Sequence, residues 1–586
     1  MLYMLPVLVV ASTMSMPFQQ SPSQVTASES RAAMSKKDTS RVLKAARRAQ
    51  GDFEGLRRQL LPRQTGLAGR ACDAVIGRFC HWQSNGDGPP PESPKVIAAR
   101  EKLIATLDSL GRILPDHRWI LAQRARYRIE SNRHVEAEQL ARACAARTTV
   151  PATRGWCHAL AGYAAQELGE YARADSAFTA ALTELPEKER CSWLDMSLLL
   201  DGKAGGRYKR LDCAARDSMA TALWRLVQPL YLTGVNDLRT EFLARVTRMH
   251  VEEDSRIPMG YTPGADDRET LLRYGGGLWY TQEDPPPGSA RPSIVASHRR
   301  GPAFNFFPQP RALAALDRLR LDDWAFSGLA PRTHYAPEYA QRFVHLLDHQ
   351  VSLFRRRDSA FIVAAFDLSN EGMPLGGHTQ AGLFAAPLEN GGVAAPLGKP
   401  IEGAGPSTVT TMRAPWRPMI VSLEVLDRES RFAGRARYAL RVPTGDARLA
   451  LSDLLLYAPR DSTPQRLEEV IPLAMHSLRL SREQPLGLYW ETYGARPRGE
   501  SFDFALLVAP VGQSWLRRAF DKVRREEKSM IAVSWREVPS VEAGMAPRAM
   551  SVNLSLLKPG RYKVQLTLTP AGEPPIVTER DIEILK

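Results

Sequence analysis

Apolar side chains in the first half of this chain recur at every third or fourth position, and in the second half at every other one. The pattern predicts helices followed by strands. Between about Arg41 and Glu253, the segments EKLIATLDSLGRILP, HVEAEQLARACAART, DSMATALWRLVQPLYL and VNDLRTEFLARVTRMHV each carry one apolar face at helical spacing. From Ile257 to about Arg356 the chain is rich in Gly, Pro and aromatic residues and reads as loops. From Phe361 onward FIVAAFDLS, QAGLFAAPL, PMIVSLEVLD and RARYALRVP read as strands, separated by turn formers that include the Gly/Pro-rich run Asn390 to Pro406. After about Glu468 the segments PLGLYWETYG, DFALLVAP, MIAVSWREVP, RAMSVNLSLL, RYKVQLTLTP and IVTERDIEILK predict a second set of short strands. This organisation divides the chain into a helical domain over 41–256, a loop-rich central segment over 257–356, a β-rich domain over 357–462 and a last β domain over 463–586.

The sharpest local signal is GWCHALAGYAAQELGEYARADSAFTAALTELP, Gly155 to Pro186. Two antiparallel helices that cross closely admit little beyond a methyl at the crossing, so Gly162, Ala174 and Ala181 are small there and Phe178 fills the adjoining groove. Gly169 falls where the first helix must end in a left-handed turn, Tyr171 packs into the angle, and Pro186 stops the second helix because it has no N–H to donate. At these offsets the residues resemble a tetratricopeptide (TPR) helical hairpin. Ala137, Ala141 and Cys144 repeat the phase of Ala174, Phe178 and Ala181 one unit upstream, with about three extra residues around Thr148 to Thr153. Leu103, Leu107, Leu110 and Pro115 repeat it once more. A lone hairpin cannot bury its own apolar face, so a short stack is the minimum reading. The alternative is an ordinary amphipathic helix pair. The resemblance implies a TPR-like solenoid whose concave face receives protein partners. The strand spacing after Glu468, with the turn Lys558-Pro559-Gly560 ahead of Arg561-Tyr562, resembles an immunoglobulin-like sandwich of extracellular modules. The fold class expected is therefore multidomain α+β: an N-terminal TPR-like solenoid followed by mostly-β, immunoglobulin-like domains.

Length and charge narrow the picture further. At 586 residues the chain exceeds one core, since domains average about 150 residues. The formal net charge of +14 arises from 78 Lys+Arg against 64 Asp+Glu. The arginines are scattered over nearly every segment, which argues for solvated surface and against nucleic-acid binding. Leu2 to Ala11, LYMLPVLVVA, is an apolar run of secretory length with small residues at Val9-Val10-Ala11, although no Lys or Arg precedes it; a mis-assigned start is the alternative. It is shorter than the about 20 residues a membrane span requires. No cysteine follows it as a lipid anchor. Residues 1–20 are read as a signal peptide and 21–40 as a flexible leader, so the chain is expected in the periplasm or cell envelope. The six cysteines pair locally as Cys72 with Cys80, Cys144 with Cys157, and Cys191 with Cys213, all before residue 214. Cys144 ends one predicted helix and Cys157 begins the next, within reach of the roughly 5.5 Å Cα spacing of a disulfide. Staples of an oxidising compartment are expected, with buried cytoplasmic thiols as the alternative; no pair has the C-x-x-C spacing of zinc sites.

Residues 260–277, GYTPGADDRETLLRYGGG, carry a second resemblance. Gly260, Tyr261 and Thr262 stand near a Gly-Trp-x-Thr core, and Arg268, Leu271, Leu272, Arg273, Tyr274 and Gly275 match a following Arg and Tyr-Gly strand. The segment resembles a degenerate motif of GWxTD-domain proteins, bacterial exported proteins that often carry TPR and β-sandwich segments. Tyr261 replaces the Trp, extra residues separate Thr262 from Asp266 and Asp267, and Gly276-Gly277 replaces the usual close. The resemblance implies an exported TPR-repeat protein and supplies no catalytic residues.

Candidate chemistry is sparse. His345-Leu-Leu-Asp-His349 on a helix would place two imidazoles one turn apart and resembles the H-x-x-E-H pattern of inverted zinc peptidases, with Asp348 replacing Glu and His334 as a further ligand. Partly exposed helix histidines are the plainer reading. Gly275 to Gly277 lacks the Lys-Ser/Thr of a phosphate loop and reads as a tight β turn. Phe304, Phe306 and Phe307 read as a core-anchored loop rather than a sugar-stacking platform. Asp266/Asp267 and Asp322/Asp323 read as turn and helix-start residues rather than a catalytic carboxylate pair. The insertion SWLRRAFDKVRREEKS, with Arg517, Arg518, Lys522, Arg524, Arg525 and Lys528, is basic and amphipathic; it reads as a solvated helix or as peripheral contact with an anionic membrane. The sequence thus predicts an exported, non-catalytic scaffold for protein–protein interaction, without cofactor, metal or small-molecule substrate. The alternatives are a metal-dependent hydrolase using His345 and His349, and an anionic-surface-binding envelope protein.

Overall fold

Helices dominate from Lys36 to Tyr274, and strands from Trp279 to Ile584. The computed structural model describes residues 34–586 apart from 65–73, 77–78, 82–88, 201, 261, 286, 289, 291–292, 299–302, 327–332, 370–378, 390–391, 443–447, 497–499, 512–529 and 539–543. The expected signal peptide, Cys72, Tyr261 and the basic run Arg517 to Lys528 lie outside the described residues, as does the side chain of Cys80.

The helices of the first region are α1 (Lys36–Gln59), α2 (Pro94–Ile113), α3 (Arg118–Glu130), α4 (His134–Arg147), α5 (Pro151–Glu167), α6 (Tyr171–Glu184), α7 (Glu187–Trp193), α8 (Gly202–Arg210), α9 (Cys213–Val227), α10 (Asp237–Glu252) and α11 (Ala265–Tyr274), and two single-turn helices follow at Pro310–Leu313 and Leu467–Val470. Their starts are written locally: the Ser35, Asp212 and Asn236 side chains accept the Asp38, Ala215 and Arg239 backbone N–H groups, and Pro94 and Pro151 open α2 and α5. Because Ser35 caps α1, the helix begins at Lys36, inside the stretch expected as leader. Successive helices pack in antiparallel pairs. Asp108 of α2 accepts from Arg124 and Arg128 of α3, and Gly155 and Gly162 of α5 face Leu185 and Phe178 respectively. One position up α5 is thus one position down α6. α1 lies parallel to α3, where Gln50 donates to the Tyr127 hydroxyl and Arg57 pairs with Glu130 at 2.7 Å. α10 then crosses α3 and α5, accepting from Gln123 at Val251 O and from Gln166 at Glu241.

The segment expected as a Tyr-Gly strand is instead α11, where Gly264 and Asp267 form a capping turn and Leu271, Leu272 and Tyr274 are buried. Three sequence-expected turn features survive: Asp266 and Asp267 start that helix, Asp323 accepts from Arg320 N and Arg311, and Tyr562 bonds back to Lys558 through N–H and C=O.

The strands are β1 (Arg63–Gln64), β2 (Ala74–Ile76), β3 (Phe79–His81), β4 (Trp279–Glu283), β5 (Ile294–His298), β6 (Arg342–His345), β7 (His349–Arg356), β8 (Ser359–Asp367), β9 (Gln380–Glu389), β10 (Gly392–Val393), β11 (Leu397–Glu402), β12 (Ser407–Pro415), β13 (Met419–Asp427), β14 (Phe432–Leu440), β15 (Ala450–Leu451), β16 (Leu455–Tyr457), β17 (Arg479–Leu480), β18 (Leu486–Tyr493), β19 (Phe502–Pro510), β20 (Ile531–Glu537), β21 (Met545–Val552), β22 (Gly560–Pro570) and β23 (Ile576–Ile584). One sheet runs β10-β9-β13-β14-β6 with β11 also on β9, and it faces the sheet β12-β8-β7 across a shared core of Leu353, Ile362, Phe366, Leu383, Val421 and Phe432. In the last β part β18 pairs with β15, β16 and β21, opposite the sheet β17-β23-β22-β19-β20; Leu456, Trp490, Phe504 and Leu566 pack between them.

Two of the three expected domain borders, 356/357 and 462/463, cut paired strands. β7 lies within the segment expected as loops yet forms a hairpin with β8, and β15 and β16 precede residue 463 yet pair with β18. β7 escaped the pattern because it is covered on both faces: Val351 and Leu353 enter one core, whereas Gln350 and Ser352 donate to the Leu456 and Leu454 carbonyls of the last β part. No helix among the described residues is long and apolar enough to cross a membrane.

Candidate interaction surface

The residues of the Gly155 to Pro186 signal meet in one place. Phe178, Ala174 and Ala181 are fully buried, and a Cβ on Gly162 would stand 2.8 Å from the Phe178 ring. Gly169 has φ +73°, where a side chain is strained. Tyr171 is wedged beside Tyr339, and burial pushes its hydroxyl up to about 12. α6 ends at Glu184, and Pro186 caps the next helix, α7.

Cys144 and Cys157 are bonded with 5.8 Å between Cα atoms, as are Cys191 and Cys213 at 5.6 Å. The first bond lies inside the α4–α5 contact and the second at the surface. Two such bonds fit an extracellular protein.

The inner side of α5 is covered by other helices. Every residue from Gly155 to Gln166 except His158 is buried, because α10 covers the flank of α5 that α4 and α6 leave open. The open surface lies on the other side of α6. A cleft of about 580 Å³ has Thr179, Leu182 and Thr183 of α6 on one side, Glu187 and Arg190 of α7 on the second, and Asp217, Thr221 and Trp224 of α9 on the third. Two of its charges are paired, one within the lining and one outside it: Arg190 approaches Asp217 at 3.7 Å, and Arg239 bonds Asp175, beyond the lining, at 2.7 Å. Leu182, Leu185, Leu194 and Trp224 are its apolar residues, and threonine hydroxyls and charged side chains are its polar ones. Such a lining suits an amphipathic protein segment better than a small ion.

The histidines do not form the expected constellation. His345 closes β6 and His349 opens β7, on two facing sheets rather than one turn apart on a helix. A β-branched and aromatic neighbourhood, Phe343-Val344 before and Val351 to Phe354 after, favours extension over helix here. His345 Nε2 donates to Trp324 O at 3.1 Å, its ring stacks on Phe326, and burial lowers its basicity. Burial pushes His349 down to about 4. Among the described residues no three His, Cys, Asp or Glu side chains converge as a metal site needs. Phe304, Phe306 and Phe307 are buried rather than presented as a platform. Gly275 to Gly277 links a helix to a strand, the reverse of a phosphate loop.

Sequence reasoning missed a fully buried charged cluster, at the junction of the helical region and the first β sheets. Arg435 and Arg437 of β14 are fully buried and donate to the carbonyls that end α9: Arg437 to Leu226 and Gln228, Arg435 to Gln228 and Pro229. Arg437 also bonds Glu424 at 2.7 Å, and Glu424 accepts from Leu232 N. Among the described residues no carboxylate forms an ion pair with Arg435; the Trp324, Phe326 and Phe306 rings lie 4.3, 5.0 and 5.5 Å from its guanidinium carbon. The negative end of α9 and these ring faces take the place of a counterion. The available signal was FAGRARYAL itself, two arginines at alternate positions of a strand otherwise made of small, aromatic and apolar residues.

No family model matches the chain, and no curated protein matches it. Solved structures that match include red sea bream transglutaminase, at 12% identity and TM-score 0.13, covering 41% of this chain and 32% of that one. A tetra-tandem repeat in the extending region of a large adhesion protein matches at 12% and 0.13, covering 40% and 49%. The FN1-FN3 domains of chicken CNTN1 match at 12% and 0.13, covering 41% and 68%. The chain spans about a third and about half of the first two, and likeness at this TM-score assigns neither fold nor activity.

Proposed function

We propose that this chain is an exported, non-catalytic scaffold of the bacterial cell envelope, in which a short TPR-like solenoid and two immunoglobulin-like sandwiches present a binding surface for another protein. The observation that carries the reading is the amphipathic cleft between α6, α7 and α9, open while the inner flank of the stack is occupied by α10. The alternation of helices and the small residues at the α5–α6 crossing support the TPR-like part. The facing antiparallel sheets and the Tyr562 turn support the sandwich part. The two disulfides support export.

Capture from an envelope extract under non-reducing conditions tests this. The native chain and Val135→Glu, on the exposed side of α4, are expected to retain the same protein, and Leu182→Glu to lose it. Retention by all three chains, or by none, refutes the assignment of the cleft.

A further inference from the structure

The two described disulfides occupy opposite environments. Cys144 and Cys157 are 1% and 0% exposed within the helical core. Cys191 and Cys213 are only half-buried, and they line a surface depression of about 440 Å³ with Glu187, Lys188, Ser192, Asp195 and Arg216. A thiol in solution can reach the second bond without opening the core; the first it cannot. The accessible bond also joins two walls of the cleft described above, because Cys191 sits on α7 and Cys213 is the first residue of α9. α7 is a seven-residue helix whose other ties are few. Trp193 is buried, stacks on His250 at 5.3 Å and meets the Trp156 ring edge-on at 6.1 Å, Glu189 pairs with Arg118, and Arg190 reaches Asp217 only at 3.7 Å.

We propose that Cys191–Cys213 is a reducible clasp that sets the width of the cleft, an inference that rests on the cleft being the binding surface. The reductant is a thiol or dithiol. Its thiolate attacks Cys191 Sγ, forming a mixed disulfide as the Cys191–Cys213 bond breaks and Cys213 leaves as a thiolate. Cys213 is the better leaving group because it stands at the N-terminus of the fifteen-residue α9, where the backbone N–H groups favour a negative sulfur. Arg216, one turn on, adds positive charge to the same depression. A second thiolate then attacks the mixed disulfide. One reductant disulfide departs, two electrons pass to the protein, and each cysteine takes a proton from water. With the bond open, α7 is held by Trp193 at its C-terminal end and by two ion pairs, of which only the 3.7 Å Arg190–Asp217 pair reaches α9, so its first turn separates from α9.

The test uses the oxidised full chain. It is titrated with dithiothreitol, quenched with an alkylating reagent and mapped by mass spectrometry, with amide exchange followed over residues 187–193. Cys191 and Cys213 are expected to label at reductant concentrations at least about tenfold below those needed for Cys144 and Cys157. Exchange over 187–193 should rise while that over 155–166 stays unchanged. Labelling of all four cysteines together, or reduction of Cys191–Cys213 with no change in exchange over 187–193, overturns the proposal. Cys191→Ser with Cys213→Ser should reproduce the reduced exchange pattern; should that variant not fold, the titration of the native chain still decides. Neither readout needs a partner, so loss of capture by Leu182→Glu can fail independently.

Discussion

At the scale of the residue, Asp237 is the side chain with the plainest functional signature in solution. It begins α10 with no exposed surface and accepts from the Tyr339 hydroxyl at 2.8 Å, and burial raises its carboxyl to about 7. A carboxyl whose folded pKa exceeds its unfolded value near 4 stabilises the fold as the neutral acid. That contribution is complete below about pH 4 and is lost as pH rises through about 7. Asp237→Asn keeps a neutral group of the same shape, so its stability relative to the native chain should increase between pH 4 and 8, by an amount on the order of a few kcal/mol at most. Urea denaturation at four or five pH values measures the difference; parallel curves would sink the assignment. None of this was legible in the sequence, where Asp237 is one acidic residue at a helix start. Its burial is imposed by Tyr335 and Tyr339, about a hundred positions away.

At the scale of the element, the α5–α6 hairpin was legible because its constraint is local. Small residues must stand where two backbones approach, and the sequence shows them at the right offsets. The contact between Gly162 and Phe178 gives this a number. Phe178→Ala should cost about 3–5 kcal/mol through the cavity it leaves. Gly162→Val should cost about 2–3 kcal/mol by driving a branched side chain into the ring. Together they should cost less than their sum, since the valine enters the vacated space. Strict additivity in a double-mutant cycle would mean the two residues do not touch. His345 and His349 show the opposite case. Their spacing suits one helical turn, but extension is decided by β6 pairing with β14 and β7 with β8, partners that local spacing does not report.

At the scale of the whole molecule, the parts are joined by buried polar contacts rather than by linkers alone. Arg437 and Glu424 bind the end of α9 to the first β sheet, and Arg356 bonds Glu491 at 2.6 and 2.9 Å between the two β parts. Arg437→Met strands the Glu424 carboxylate in a dry junction and should cost about 3–5 kcal/mol. Calorimetry should then show the helical region melting apart from the β parts, whereas the native chain melts them together; one unchanged transition would show that apolar packing alone holds the junction. The sequence by itself determined that helices precede strands, where most strands run, that Cys144 neighbours Cys157 and Cys191 neighbours Cys213, and which small residues crowd one hairpin. Each of these follows from side-chain period or short spacing along the chain. The tertiary structure alone decided that α10 seals the inner flank of the stack, that β7 belongs with the β part despite its mixed pattern, and that two arginines are interior. Such outcomes depend on what surfaces distant segments bring together, and burial by a remote partner leaves no period in the chain that is buried.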